Sequence, residues 1–343
     1  MRKKPLSEQV IVVTGASSGL GRAVARAAGR RGAKVVVTAR GAEGLDACVH
    51  EIEAAGSQAL AVPADCTVQD EVAQVVEQAL DRFGRIDTVI ASAFVSVFGE
   101  FEQLEMDELR RVLDVNFLGR IYLLQAVLPH LQETRGTFID VNSALAYRGI
   151  PLQAPYCATK AALRTFLETV RVEQRKHKTG VDICVVLPGA INTPHFDRVR
   201  QKIGYQPQPV PPIYEPEPFA EAVLHCAEEP VRELPIGWGA QKLLWGQKLS
   251  PRLGDLFLLR NGWKAQHTGE PKPTDAPDNL FETIPDDPGA HGRFDDRARN
   301  STLWTSLRLR RWLVGTAVAG LAAGALASRN GHKPRGVRRL VRR

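Results

Sequence analysis

Short apolar runs alternate with longer helix-period segments over the first 190 residues, and this alternation most constrains the fold. Strands that are apolar throughout are covered on both faces, which is typical of a parallel sheet between helices. We therefore predict an α/β fold: a doubly wound, Rossmann-type, three-layer α/β/α sheet whose ligand crevice lies beyond the carboxyl ends of the strands. The strand-length runs lie at 10–13, 34–39, 58–64, 88–92, 137–142 and 182–187.

The alternation stops after Pro188, and the rest of the chain changes in composition. Residues 206–218 are dense in proline, and residues 268–300 are rich in Pro, Gly and Asp, which predicts extended chain. We predict a catalytic domain over 7–250, an extension and linker over 251–300, and a separate C-terminal tail over 301–343.

The charge of the chain is concentrated at its C-terminal end. The formal net charge is +7, but residues 301–343 hold ten Lys or Arg and no acidic residue, leaving 35 basic against 38 acidic residues before them. A slightly acidic body argues against nucleic-acid binding, whereas the basic tail suits an anionic surface.

The five cysteines are scattered singly, which indicates a reducing compartment and predicts no metal site. The cysteines are Cys48, Cys66, Cys157, Cys184 and Cys226.

The basic N-terminus lacks the apolar core of a signal peptide.

A glycine-rich loop, TGASSGLG, joins the first strand to the first helix. Glycines allow a tight turn and a close approach of backbone amides, and a helix N-terminus favours an anion such as a pyrophosphate. A turn without a ligand is the alternative. The candidate cofactor-binding residues in this loop are Thr14, Gly15, Ser17, Ser18, Gly19, Leu20 and Gly21.

Arg40 follows Ala39 at the end of the second strand, where an acidic residue would bind a ribose hydroxyl in folds of this kind. A guanidinium suits a ribose 2′-phosphate instead, which favours NADP over NAD. The alternative is a solvated surface arginine.

Tyr156 and Lys160 are four residues apart at the start of a predicted helix, so they share one helix face. A nearby ammonium is expected to lower the pKa of the phenol, which can then exchange a proton with a carbonyl or alcohol oxygen. Ser143 ends the preceding strand and can hold the same substrate oxygen.

These elements together resemble a classical short-chain dehydrogenase/reductase over roughly residues 7–250. The order and spacing match jointly, including the thirteen residues from Ser143 to Tyr156. The matching elements are TGASSGLG, Asp65 before Thr67, Asn116 in VNFLG, Ser143, Tyr156 and Lys160, and Pro188-Gly189 with Thr193.

The resemblance implies a catalytic role for four residues. Tyr156 would be the acid/base, Lys160 would lower its pKa and bind the nicotinamide ribose, and Ser143 would orient the substrate oxygen. Asn116 would hold a water that links Lys160 to solvent. Hydride would pass between the nicotinamide and a carbonyl or alcohol carbon.

The resemblance also implies the remaining cofactor contacts. Asp65 and Cys66 would lie at the adenine, with the Asp65 carboxylate on its amino group. Pro188 and Gly189 would form a turn beside the nicotinamide, and Thr193 would meet its carboxamide. A small-molecule substrate follows, and the oligomeric state is left open, a homo-oligomer included.

The segment Ala91-Ser92-Ala93-Phe94 departs from the Asn-Asn-Ala-Gly that the family usually has after its fourth strand. Ala91 cannot tie strands together by side-chain hydrogen bonds, and Phe94 is bulky beside the cofactor. A non-catalytic NADP-binding, membrane-recruited interaction protein is therefore an alternative. Epimerisation or dehydration is a third. His195 is interpreted as an ordinary loop histidine or a substrate contact.

The tail contains seventeen uncharged residues at 312–328, near the minimum length for crossing a bilayer, between two basic flanks. Three interpretations stay open: a membrane anchor, a helix on an anionic membrane surface, or a soluble packing helix. We expect a cytoplasmic catalytic domain that is membrane-associated through this tail.

Overall fold

A computed structural model describes residues 3–301 and Thr305 of the chain. Six of the seven strands of the main sheet follow the apolar runs of the sequence. In the described residues the strands are β1 (Val10–Thr14), β2 (Lys34–Thr38), β3 (Ala59–Ala61), β4 (Thr88–Ala91), β5 (Val97–Phe98), β6 (Thr137–Val141), β7 (Asp182–Pro188), β8 (Arg200–Gln201), β9 (Tyr205–Pro207), β10 (Ile213–Tyr214), β11 (Glu233–Ile236), β12 (His267–Pro271) and β13 (Ala298–Arg299).

The helices connect successive strands of the main sheet and cover it. In the same part of the chain they are α1 (Gly19–Arg30), α2 (Ala42–Ala54), α3 (Gln69–Phe83), α4 (Met106–Leu113), α5 (Gly119–Thr134), α6 (Ala154–Lys176), α7 (His195–Arg198), α8 (Pro216–Glu228), α9 (Trp238–Leu249) and α10 (Pro251–Asn261).

Seven strands form one parallel sheet in the order β11-β7-β6-β4-β1-β2-β3. Strand β1 pairs with β2 on one side and with β4 on the other, so Val12 lies between Val36 and Val89. The strand order reverses there, which is where the ligand crevice of such a sheet lies. The predicted doubly wound α/β fold is confirmed.

The apolar character of the strands is explained by burial on both faces. Helix α1 packs on α2 and α8. Helices α3, α5 and α6 form a hydrophobic core cluster with the sheet. The buried members of that cluster include Val12, Val36, Val75, Val76, Val89, Leu124, Val127, Phe138, Leu163, Leu167 and Val185. This rigid core fixes the strand ends on which the site is built.

Helices α4 and α5 run on through a π-helical turn at Asp114–Leu118. Among the described residues, the continuous run Met106–Thr134 is long and apolar enough to cross a membrane. Its buried residues, Leu124 and Val127 among them, pack in the core beside the sheet.

The chain after residue 188 is more ordered than its composition indicates. It adds the seventh strand, β11, whose sequence ELPI has no β-branched run, and the two helices α9 and α10. Residues 251–300, predicted as extension and linker, pack on the body, and the described residues up to 301 form one compact unit. The predicted helix at 312–328 lies outside the described residues.

Candidate active site

A cleft runs along the carboxyl ends of β1, β2, β4, β6 and β7. Every residue that the sequence analysis assigned to catalysis or cofactor binding lines this cleft, with the exception of Asn116. Arg40 and Asp65 lie at one end, and Ser143 and Tyr156 lie at the other. Residues 140 positions apart in sequence meet here because parallel strands end at one edge.

The glycine loop has the conformation that its sequence requires. Gly15 and Gly19 have φ of +68° and +54°, in the left-handed region that glycine adopts readily. A side chain at Gly15 would overlap the backbone of Ala93, and one at Gly21 would overlap the Gly15 carbonyl. The loop is thus close-packed on the strand ends: the amides of Gly15 and Ala16 donate to the Thr38 carbonyl, while the N-terminus of α1, at Gly19, lines the cleft.

Arg40 and Asp65 mark the far end of the cleft, and each is held by a partner. The guanidinium of Arg40 donates to the backbone carbonyls of Asn279 and Phe281 at 2.6 and 2.7 Å. Burial alone would raise the pKa of Asp65, but hydrogen bonds from Arg111 and Thr67 hold it below its usual value.

Ser143, Tyr156 and Lys160 converge at the near end of the cleft. The Ser143 hydroxyl follows β6 and accepts a hydrogen bond from the amide of Leu145, so it also caps a short 3₁₀ turn. The ammonium of Lys160 lies 5.6 Å from the centre of the Tyr156 ring. It donates to the carbonyl of Val141 at 2.9 Å.

The pKa values at this end differ from the sequence expectation. Burial raises the pKa of Tyr156, and a hydrogen bond with Ser143 only partly opposes this. Burial lowers the pKa of Lys160 to about 7, against the attraction of Asp140. The Lys160 ammonium donates to Val141 rather than to the phenol, so the expectation that Lys160 lowers the pKa of Tyr156 stays a prediction.

Asn116 lies in the π-helical turn behind the cleft and is buried. Its side-chain amide accepts from the amide of Val95 and donates to the carbonyl of Val95, both at 2.9 Å, and lies 3.3 Å from the Thr159 hydroxyl. These contacts tie α4–α5 to the chain after β4 and to α6. The predicted water relay through Asn116 stays a prediction.

The turn after β7 forms the third side of the cleft. Pro188 and Gly189 line it, and the Gly189 amide donates to the carbonyl of Ile236 at 3.0 Å. The side chain of Thr193 lies against Gly19 of the glycine loop. The turn after β7 therefore contacts the glycine loop between the end of the cleft with Arg40 and the end with Tyr156.

Two aromatic side chains occupy the centre of the site, beyond the candidate residues. Phe94 lies against Tyr156, and the His195 ring lies 4.7 Å from that of Phe94. Burial, with a contribution from Lys272, lowers the pKa of His195 to about 3, so the ring is neutral. In the sequence, the signal that could have placed both rings in the site is that Phe94 follows β4 and His195 follows β7.

A buried ion pair supports the site from below, and sequence reasoning missed it. The Nε of Arg120 lies 3.3 Å from Oδ1 of Asp140, and both side chains are buried. Arg120 also donates to the Thr14 hydroxyl at 3.3 Å, and Asn142 donates to Asp140 at 2.8 Å. This pair links the ends of β1 and β6, although neither residue stands in a recognisable motif.

Residues 278–292, which we call the strap, cross the cleft from the C-terminal extension. This segment has little periodicity, and its sequence predicts no role in the site. The strap residues that line the cleft are Asn279, Thr283, Ile284, Asp286 and Pro288.

Beside the strap, Glu215, His291 and Asp295 bring potential metal-ligand atoms within 4.8 Å of one another. No metal site was predicted from the sequence. The His291 ring lies 2.9 Å from both Glu215 and Glu217, and Asn192 donates to Asp295 at 2.6 Å. These contacts join the strap end to the body.

Comparison with known proteins identifies the family. The short chain dehydrogenase profile matches residues 9–204. The uncharacterized oxidoreductase YxnA of Bacillus subtilis is 34% identical over 334 residues, which cover 96% of this chain and 93% of that protein. The chain belongs to the short-chain dehydrogenase/reductase family. As a member of this family, it is an NAD(P)-dependent oxidoreductase.

This short-chain dehydrogenase/reductase is also similar to a curated reductase and to two solved dehydrogenase structures. Versicolorin reductase stcU of Emericella nidulans is 35% identical over 192 residues, 56% of this chain and 72% of that protein. A solved alcohol dehydrogenase from Thermococcus sibiricus, complexed with 5-hydroxy-NADP, is 30% identical, with a TM-score of 0.59 over 66% of this chain and 94% of its own. A Mycobacterium paratuberculosis structure, at 23% identity and a TM-score of 0.61, shares the fold.

The cleft of this short-chain dehydrogenase/reductase fits a dinucleotide. It is continuous from Arg40 to Tyr156, as a molecule with an adenosine end and a nicotinamide end requires. Between them, the close contacts at Gly15 and Gly21 leave no room for a side chain, so the backbone can approach a pyrophosphate.

Proposed function

We propose that this oxidoreductase is NADP-dependent and acts on a carbonyl or alcohol substrate, with Tyr156 as the acid/base. The observation that carries the proposal is the convergence of Ser143, Tyr156 and Lys160 at one end of the cleft whose other end holds Arg40. A phenol can exchange a proton with a substrate oxygen, and a neighbouring hydroxyl and ammonium can hold that oxygen and stabilise the phenolate.

The chain's residues divide the work at the substrate oxygen. When bound, the nicotinamide supplies or accepts the hydride. The Tyr156 phenol, whose raised pKa keeps its proton at neutral pH, donates that proton to the carbonyl oxygen in reduction. Ser143 holds the same oxygen. The Lys160 ammonium, 5.6 Å from the centre of the Tyr156 ring, stabilises the phenolate that remains after the proton has left. Asn116 fixes the position of the Val95 backbone relative to α6 through its hydrogen bonds to Val95 and Thr159.

The preference for NADP rests on Arg40. Its guanidinium lies in the cleft at the end of β2, and it is already bound to two neutral carbonyl oxygens. A phosphate is a stronger partner for this group because both charges assist the hydrogen bonds. The Thermococcus sibiricus relative bound to 5-hydroxy-NADP supports the same choice. Asp65, Cys66 and Thr193 would complete the cofactor contacts.

The substrate end of the cleft supports a carbonyl compound with an apolar body. Phe94, Phe196 and the neutral His195 line it, so an apolar substrate body would pack against these rings without losing hydrogen bonds to water.

Oxidation of NADPH with a panel of aldehydes and ketones tests the proposal. We expect Tyr156→Phe to lower kcat by about 100- to 10,000-fold while NADPH still binds. Tyr205→Phe, at an exposed tyrosine outside the cleft, is the matched control.

Equal inactivity of the wild type and Tyr156→Phe, with tight NADPH binding in both, would instead favour the non-catalytic binding protein, to which the bulky Phe94 beside Tyr156 points. Return of deuterium to the same carbon of an alcohol labelled at that carbon, with no net oxidation or reduction of the cofactor, would indicate epimerisation.

We further propose that residues 301–343 associate the protein with a membrane, with the catalytic domain in the cytoplasm. The support is the uncharged stretch 312–328 between basic flanks. Cells expressing the full chain or a chain ending at residue 300 would be fractionated. We expect the full chain in the membrane fraction and the shortened chain in the soluble one. A soluble full chain overturns the proposal.

A further inference from the structure

The strap lies outside the part of the chain that the family profile matches, 9–204. The similarity to YxnA nevertheless extends through it, because only about 4% of this chain falls outside that match. The relative Lmo0432 of Listeria monocytogenes is matched over 97% of its own length by 68% of this chain. The similarity to YxnA thus includes the strap, although the family profile ends before it.

The first half of the strap is bound by two arginines at the adenosine end of the cleft. Arg40 donates to the carbonyls of Asn279 and Phe281, and Arg111 donates to the carbonyl of Leu280 at 3.1 Å. Three successive strap carbonyls thus accept hydrogen bonds from guanidinium groups. One of these groups, Arg40, is the proposed 2′-phosphate ligand.

The second half of the strap is bound at the glycine loop. The Gly289 carbonyl accepts a hydrogen bond from the Gly19 amide at 3.0 Å. Asp287 forms an ion pair with Arg22, a buried residue of α1, and this partner holds the pKa of Asp287 below its usual value. A strap oxygen therefore occupies a donor of the loop that would face the pyrophosphate.

The far end of the strap is fixed to the turn after β7. Gly292 packs so closely on Thr193 that a side chain there would overlap the Thr193 carbonyl. The amide of Phe294, just beyond the strap, donates to Asn192 at 3.1 Å. The His291 ring is held by Glu215 and Glu217. The strap is thus anchored at this end and latched to the cleft along its length.

We propose that the strap is a wall of the cofactor site and sets the rate at which the dinucleotide enters and leaves. The inference rests on the proposed function of the cleft. The donors of Arg40 and Gly19 are held by strap carbonyls, and a bound dinucleotide would use the same donors. Entry therefore requires the latches at Arg40 and Gly19 to open, after which the strap closes over the adenosine end through Arg111 and Arg22, which do not line the cleft. Such loop opening often limits turnover.

The test uses the full chain and NADPH, whose fluorescence reports binding in a stopped-flow instrument. Asp287→Asn removes the charge that latches the strap to Arg22, and we expect both the association and the dissociation rate constants to rise about fivefold. The equilibrium Kd should change less than either rate because both rates move together. Asp286→Asn, which loosens the ion pair with Arg198, is a second, independent variant.

The matched control is Asp255→Asn, which breaks the ion pair with Arg148 and touches no strap residue. Both rate constants should equal those of the wild type. Rates that are unchanged in both strap variants, with normal folding by circular dichroism, overturn the inference. Absence of NADPH and NADH binding to the wild type would instead contradict the proposed function.

Hydrogen exchange gives a readout that does not depend on rates of binding. With saturating NADP⁺, backbone amides of residues 279–290 should exchange more slowly than without it, since the strap closes on the cofactor. The exposed end of α6 around Val172 provides an internal reference. Strap amides that exchange equally fast in both conditions contradict the inference.

Discussion

The ring of Phe94 lies edge-on against the ring of Tyr156, with centroids 5.7 Å apart and an interplanar angle of 60°. The same ring lies 5.6 Å from the ammonium of Lys160. An apolar ring in this position displaces water and so contributes to the burial that raises the pKa of Tyr156 and lowers that of Lys160. The position that departs from the family pattern therefore acts on the proposed proton donor.

Phe94→Ala should shift the pH dependence of alcohol oxidation to lower pH. Water admitted to the cleft stabilises the phenolate and lowers the pKa of Tyr156 towards its ordinary value. Oxidation needs the phenolate as base, so its rate rises with pH through that pKa, and a lower pKa moves the rise to lower pH. The pH profile of kcat/KM measures it, with Phe101→Ala, an exposed phenylalanine, as control. An unchanged profile would refute the role of Phe94.

Arg40→Ser should weaken binding of NADPH at least about tenfold, since hydrogen bonds to a charged group are lost. Binding of NADH should be nearly unchanged because it has no 2′-phosphate. Fluorescence titration gives both Kd values. Arg110→Ser, at an exposed arginine of α4, should leave them as they are. Equal weakening for NADPH and NADH would argue that Arg40 acts only through the strap.

Arg120→Met should lower the free energy of unfolding by about 3–5 kcal/mol, because it leaves the buried carboxylate of Asp140 without its partner. The double variant Arg120→Met/Asp140→Leu should recover part of this loss. Urea denaturation measures it. Arg232→Met breaks an exposed ion pair with Glu168 and should cost less than about 1 kcal/mol. If Arg120→Met and Arg232→Met lower the free energy of unfolding equally, burial does not strengthen the pair of Arg120 with Asp140.

His291→Gln should destabilise the protein more at low pH than at high pH. Burial lowers the pKa of His291, but Glu217 and Glu215 outweigh it and raise the pKa above its ordinary value. The stabilisation by the charged ring is fully present below the unfolded pKa of about 6.5 and is lost as pH rises through the raised folded pKa.

Urea denaturation of wild type and His291→Gln at about pH 6 and pH 9 compares the two ends of that window. The difference between the proteins should shrink towards pH 9. His177→Gln, at an exposed histidine, serves as control. A difference that grows with pH would show that the ring acts in its neutral form.

Sequence periodicity predicted the sheet well but not its last strand. Runs such as Val35–Val37 are buried on both faces and read as strands. Strand β11 lies at the sheet edge, and its sequence ELPI contains Glu and Pro, so pairing with β7 rather than propensity makes it a strand.

The sequence by itself determined the doubly wound sheet, the glycine loop and the order of Ser143, Tyr156 and Lys160, because these depend on periodicity and on spacing within short segments. Only the tertiary structure decided which groups those residues meet. Lys160 binds the Val141 carbonyl, and Arg40 binds Phe281, 241 residues away. Contacts of backbone carbonyls in an aperiodic segment leave no trace in residue type, so the strap became visible only once the chain was folded.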